Sequence, residues 1–162
     1  MYFKSNSNLS IVIPTLGEAV LFKCLNSIYL NTLLPFEIII VIPSQYKNRV
    51  NKINKLKLVR IIYSPIKGQV YQRILGFKSC KCDYVMQLDS DIILSKDTIY
   101  KLLYSMRKFY GKNAISPNLS IPKKLNNRFK YRSKLFILIK NFIINGSKYS
   151  KPGIVTDIGY NT

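Results

Sequence analysis

The 162-residue sequence contains no histidine, only three cysteines and only seven acidic residues, against 26 lysines and arginines. Each shortage excludes something. Without histidine, Cys80-Lys81-Cys82 has one further thiol, Cys24, to draw on, and three thiols cannot complete a tetrahedral zinc set. An odd, small number of cysteines, with no basic-apolar-small pattern at the N-terminus, points to reduced thiols in the cytoplasm. No apolar run approaches the ~20 residues a bilayer span requires. The longest, Leu135 to Ile144, is short and broken by Lys140 and Asn141. With Lys130, Arg132, Lys134 and Lys148 around it, that stretch suits a core element with solvated flanks, or a peripheral contact with the inner face of a membrane.

The charge is a formal +19 at pH 7. Such an excess attracts polyanions, whether nucleic acid, acidic headgroups or nucleotide phosphates, and is silent about fold. Lysine, asparagine and isoleucine are abundant together, as drift in an AT-rich genome produces, so basicity alone names no partner. Hydrophobic residues make up 48%, enough for a buried core and against disorder.

Short β-like runs alternate with helix-like segments. Leu9 to Ile13 is a β-branched run ended by Pro14, and Glu18 to Tyr29 sets Val20, Leu21, Cys24, Leu25 and Ile28 at helical spacing. Glu37 to Ile42 is continuously apolar, as in a parallel strand covered on both faces. Leu58 to Tyr63 predicts a strand, Gln69 to Ser79 a helix, Tyr84 to Leu88 a strand and Lys96 to Tyr110 a helix. Asn113 to Ser116 predicts a further short strand. The alternation predicts an α/β fold with an open, mostly parallel sheet of the doubly wound type. Beyond Pro117 the texture becomes basic and loop-like and ends without a closing element. The reading is therefore a ligand-binding α/β domain over 1–116 and a basic extension over 117–162, incomplete at its C-terminus.

Two of the seven acids, Asp89 and Asp91, stand together where the strand Tyr84 to Leu88 runs out. On an extended segment their side chains project the same way, a hard oxygen site suited to Mn²⁺ or Mg²⁺. A bare Asp-x-Asp is weak evidence, since Ser90, Asp91 or Ser95 would equally cap the helix beginning near Lys96. Its place at the carboxyl end of a buried strand strengthens it. A second constellation, Lys67-Gly68-Gln69 with Arg73, sits at a strand-to-helix turn where exposed N–H groups favour an anion. Arg73 alone is equally readable as a solvated helix residue. The third, Pro14-Thr15-Leu16-Gly17-Glu18, is the first strand-to-helix loop, where Thr15 also suits an N-cap and Glu18 the helix dipole.

In order and spacing, IVIPTLGEAVLFKCLNSI, EIIIV, KGQVYQRILGF and DYVMQLDSDI resemble the successive blocks of family 2 glycosyltransferases of the GT-A fold. The resemblance spans Leu9 to Ile92 and, more loosely, PGIVTDIGYN near the end. It implies a GT-A-like (Rossmann-like) sheet with helices on both faces and inverting transfer of a sugar from a nucleotide-sugar donor to a glycan or lipid-linked acceptor. It further implies that Pro14, Thr15 and Glu18 contact the nucleoside. Gln69, Arg73, Asp89 and Ser90 would line the donor site, with Asp91 and Asp89 at the metal. Two departures follow. Ile42-Pro43-Ser44 stands where the family shows an acidic pair that reads the base, so uridine is not implied. The family's general base lies downstream of the metal motif, and the chain ends about where that acceptor region begins. Asp157, the last acid, is too early to serve, so no residue is assigned as base.

Two other classes compete. A basic nucleic-acid-binding α/β domain explains the charge and the Tyr and Lys/Arg interleaving near Arg128 to Tyr131. It has no recognisable motif and leaves Asp89 and Asp91 unexplained, so nucleic acid is not the expected partner. A nucleotidyltransferase would need a glycine-rich phosphate loop before the acids, and none is present.

Overall fold

The computed structural model describes residues 7–108 and 114–117, which fall within the compact unit Met1–Pro117. The expectations for Arg128 to Ile144, for PGIVTDIGYN and for Asp157 lie outside the described residues.

Seven regular elements follow in the order β1 (Leu9–Pro14), α1 (Val20–Tyr29), β2 (Glu37–Pro43), β3 (Val59–Ser64), α2 (Gln69–Lys78), β4 (Tyr84–Gln87) and α3 (Thr98–Lys108). Two 3₁₀ turns, Ser44–Val50 and Ile53–Lys55, fill the connection between β2 and β3. The four strands form one sheet in the order β3-β2-β1-β4, with every pairing parallel. Every residue of β1 and β2 is buried, as their unbroken apolar runs require. At the edges of the described sheet, β4 alternates between half-buried and exposed residues.

Strand alternation divides the core. On one face Ile11 and Ile13 of β1 and Ile38, Ile40 and Ile42 of β2 pack with Leu21, Leu25 and Ile28 of α1 and Ile99 and Leu103 of α3. On the other, Val12, Ile39 and Val41 meet Ile62, Leu75 and Cys80, with α2 lying over β1, β2 and β3. Helices therefore cover both faces of an open parallel sheet, as expected. Gly76 sets how closely α2 lies. A Cβ there would stand 2.3 Å from Val12 Cγ1 and 3.2 Å from Val41 Cγ2.

A polar clamp holds the amino-terminal edge of the sheet. Buried Glu37, first residue of β2, accepts from Ser10 Oγ at 2.8 Å, Lys81 N–H at 2.8 Å and Arg60 Nη2 at 2.9 Å. Arg60 also donates to the carbonyl of Ser79, so β1, β2, β3 and the exit of α2 meet at one carboxylate. Burial alone would push the Glu37 carboxyl up. The bonds from Arg60, Ser10 and Lys81 outweigh it and hold its pKa below the ordinary 4.5.

Element boundaries differ from the sequence expectation where local bonding intervenes. α1 begins at Val20 rather than Glu18, because Gly17 takes φ +78° and Glu18 turns back to its own loop. α3 begins at Thr98 rather than Lys96, with Ser95 Oγ 2.7 Å from Thr98 Oγ1. Ser90 and Asp91 lie too far upstream to cap it. Ala114 to Pro117 forms no strand, which corrects the expectation for Asn113 to Ser116 over its described part.

Two outcomes follow. Gly76→Ala should destabilise the fold by about 1–3 kcal/mol through overpacking against Val12, read as a lowered denaturation midpoint. Glu37→Gln should cost about 1–3 kcal/mol near neutral pH, because it leaves Arg60 and the Lys81 N–H poorly matched. The depressed Glu37 pKa gives stability that is fully present above 4.5 and lost as pH falls through the folded-state value. The gap between wild type and Glu37→Gln should therefore close in acid, and a gap independent of pH would contradict the clamp.

Candidate functional site

The strand order reverses between β1 and β4, and in open parallel sheets the crevice beyond the carboxyl ends at such a reversal receives ligands. Three segments converge there: the loop after β1, the start of α2 and the turn after β4. Between them lies a cleft of about 440 Å³. Of the residues singled out from sequence, Pro14, Thr15, Leu16, Glu18, Lys67, Gly68, Gln69 and Ser90 line it, joined by Gln72.

The first wall is a self-bonded loop. Thr15 Oγ1 donates to Glu18 Oε2 at 3.1 Å and accepts from Gly17 N–H at 3.0 Å, while Leu16 N–H also reaches Glu18 Oε2 at 3.3 Å. Thr15 therefore shapes the loop and does not cap α1, whose N-cap position, Ala19, makes no side-chain bond. Gly17 is required twice over: its φ is positive, and a Cβ would meet Arg49 Cβ at 2.7 Å. Arg49 in turn donates to Leu16 O at 3.0 Å.

The second wall is α2, and its anchor is Gln72. This side chain is 2% exposed, and its Nε2 donates to Thr15 O at 2.9 Å and to Val41 O at 2.7 Å. Thr15 N–H reaches the same Val41 oxygen at 3.0 Å. One amide thus ties the ends of β1 and β2 to α2. In the sequence Gln72 figured only within the block KGQVYQRILGF. The available signal was its position four residues before Gly76 on the inward stripe of the helix, where a polar residue needs buried partners. Gln69, at the helix start, is exposed to the cleft.

The third wall brings Asp89 and Asp91. β4 ends at Gln87, and Ile92 N–H bonds Asp89 O at 3.1 Å, so Asp89 to Ile92 forms a turn. This corrects the extended geometry from which the shared direction of the two carboxylates was argued. Arg73, Asp89 and Asp91 are not in the cleft lining; the two acids flank Ser90 in the chain, and Arg73 pairs with Asp89. Arg73 Nη2 is 2.9 Å from Asp89 Oδ1. The Gln87 amide, its oxygen turned to the guanidinium, accepts from Arg73 Nε at 3.1 Å and Nη2 at 3.2 Å. Asp91 is exposed and makes no hydrogen bond or ion pair among the described residues. Beneath the turn, the Cys24 thiol faces Asp89 O at 3.8 Å. Burial, then the Asp91 carboxylate, push its pKa up to about 12, so the thiol stays protonated near neutral pH.

Along the rim after β2, Ser44 Oγ donates to Ser64 O at 3.0 Å. The Arg49 guanidinium lies 4.3 Å from the Tyr46 ring centre and Lys67 Nζ lies 6.0 Å from it. This rim is aromatic and cationic, and no acid stands in it.

As to metal chemistry, no group of three or more cysteine or acidic ligands occurs among the described residues. Asp91 and the second oxygen of Asp89 are hard oxygen donors, the type Mn²⁺ or Mg²⁺ takes when phosphate oxygens and water complete the shell. The donor set fits such an ion on those terms.

Comparison with known proteins agrees with this architecture. The family model described as Glycosyl transferase family 2 matches residues 10–159. Among solved structures, Staphylococcus aureus TarS 1-349 superposes with a TM-score of 0.53 at 18% identity, covering 68% of this chain and 38% of TarS 1-349. Its complex with UDP-GlcNAc gives a TM-score of 0.51 at 18% identity over 67% of this chain and 37% of that one. Its complex with UDP gives 0.51 at 16% identity over 67% and 38%. At these identities the likeness shows the shared GT-A-type fold, and the chain spans well under half the length of those TarS chains. No curated protein matches it. With the family model matching residues 10–159, the chain belongs to glycosyl transferase family 2.

Proposed function

We propose that the cleft binds a nucleotide-sugar donor and that the chain is the donor-binding part of a glycosyltransferase performing inverting transfer to a glycan or lipid-linked acceptor. The observation that carries this reading is the convergence of Thr15, Glu18, Gln69 and Ser90 on one cleft at the strand-order reversal, beside Asp89 and Asp91. TarS, a protein of the same fold, has been crystallised with UDP and with UDP-GlcNAc.

Each wall then has a task. The loop of Thr15 and Glu18, already bonded to itself and anchored by Gln72, offers a preformed surface to the nucleoside. Little ordering entropy remains to be lost there on binding. Lys67 and the start of α2 face the diphosphate with positive charge and unpaired N–H groups. Arg73 fixes one oxygen of Asp89 and leaves the other directed by that ion pair towards ribose and metal. Asp91, exposed on its turn, is the direct ligand for Mn²⁺ or Mg²⁺. When bound, that ion neutralises charge developing on the diphosphate leaving group. The aromatic, cationic rim around Tyr46 stands where the resemblance expects acids, so the base need not be uracil.

The test is a thermal-shift panel of UDP, GDP, CDP and dTDP, with and without Mn²⁺, on wild type and Asp91→Asn. One nucleotide should stabilise the wild type in a metal-dependent way, by about 2.7 kcal/mol at ~100 times its Kd. Asp91→Asn should abolish that shift. A folded protein, verified by circular dichroism, that responds to none of the four would overturn the reading. So would an Asp91→Asn variant that responds as wild type does.

A further inference from the structure

We infer that Arg49, stacked on Tyr46 beside the cleft, selects the base of the bound nucleotide by its hydrogen-bond acceptors. The inference rests on the donor reading of that cleft and names the substrate class further. The bases that fit carry two adjacent acceptors, O6 and N7 in guanine or O2 and N3 in cytosine.

The argument starts from placement. Arg49 belongs to the 3₁₀ turn Ser44–Val50 after β2 and donates to Leu16 O at 3.0 Å. Leu16 lines the cleft, and so does Lys67, whose Nζ lies 6.0 Å from the Tyr46 ring centre. The Arg49 guanidinium lies 4.3 Å from the same centre. Tyr46 is half-buried and packs against the core, whereas Arg49 and Lys67 are exposed. An anchored ring thus supports a guanidinium plane at the border of the cleft, and cation–π attraction holds the two together.

Chemistry then limits what this border can read. Between Ile38 and Cys82 the sequence has no acid. The hydroxyls of Ser44 and Ser64 are turned to carbonyls, Ser44 to Ser64 O at 3.0 Å and Ser64 to Ile66 O at 2.6 Å. Glu18, the acid of the cleft lining, directs Oε2 to Thr15 Oγ1 and Leu16 N–H within its own loop. Arg49 and Lys67 have only donors to offer, and Leu16 O occupies only part of the Arg49 fork. A planar fork is matched by two acceptors side by side on a planar partner. In uracil and thymine an N–H separates the two carbonyls. That proton would meet a cation and leave its bond to water without replacement. A phosphate would accept from the same fork, but every nucleotide carries phosphate, so such a contact cannot tell bases apart.

The experiment is titration calorimetry of the full chain, in Mn²⁺, with GDP, CDP, UDP and dTDP. GDP or CDP should bind about tenfold or more tightly than UDP and dTDP, and the two arms say which base is read. Arg49→Gln should cut that ratio to about threefold or less. Losing the bond to Leu16 O, or a contact with phosphate, would weaken all four nucleotides alike, so the ratio reads the base contact and the bare affinity does not. The analogues 7-deaza-GDP and 3-deaza-CDP each lack one acceptor and test the contact without any substitution. The analogue of the preferred base should bind wild type about tenfold more weakly than its parent. UDP bound as tightly as GDP and CDP overturns the proposal, as does a ratio unchanged by Arg49→Gln or an analogue that binds like its parent. Each of those outcomes leaves the donor reading standing. A folded chain that binds none of the four removes both.

Discussion

The carbonyl oxygen of Val41 accepts two hydrogen bonds, from Thr15 N–H and from the buried amide of Gln72, and the cleft is organised around that atom. Through it the end of β2 holds the end of β1, and α2 is fastened to both. The second Gln72 proton goes to Thr15 O, so both the N–H and the carbonyl of Thr15, just after Pro14, are bonded. A loop fixed in this way keeps its shape without ligand. The arrangement needs α2 to approach the sheet closely, and Gly76 one turn on permits it by leaving room for Val12 and Val41. Glu37 performs the matching task at the amino-terminal edge, where Arg60 and Lys81 bring β3 and the exit of α2 to one carboxylate. α2 is thus fastened near both of its ends by polar groups and seated between them by apolar contact.

That fastening also sets the electrostatics of the site. Arg73 follows Gln72 directly, so the amide that seats the helix also aims the guanidinium, which meets Asp89 at the turn after β4. In a chain carrying +19, acids are few, and the two that flank Ser90 behave differently. Asp89 is neutralised from within the protein. Asp91 is left to solvent, with a protonated thiol beneath the turn and no cation bonded to it among the described residues. A carboxylate kept unpaired amid so many lysines is poised for a cation delivered from outside, which is the electrostatic basis for assigning it the metal.

Much of this was legible in the sequence, and for identifiable reasons. β1 and β2 are buried on both faces, so their runs are uninterrupted, and α1 buries a stripe at helical spacing; such patterns survive without knowledge of tertiary contacts. The carboxyl-end location of Asp89 and Asp91 followed from the strand before them. Their geometry did not follow, because β4 stops at Gln87 and a turn bond to Ile92, invisible in a list of residue types, decides where the side chains go. The same holds for the start of α1, where Glu18 bonds backwards into its loop. The expected strand near Ser116 failed because no pairing partner takes up that segment, and a strand is a property of a pair. The pairing of Arg73 with Asp89 was hidden by their separation of 16 positions, though both had been noticed separately.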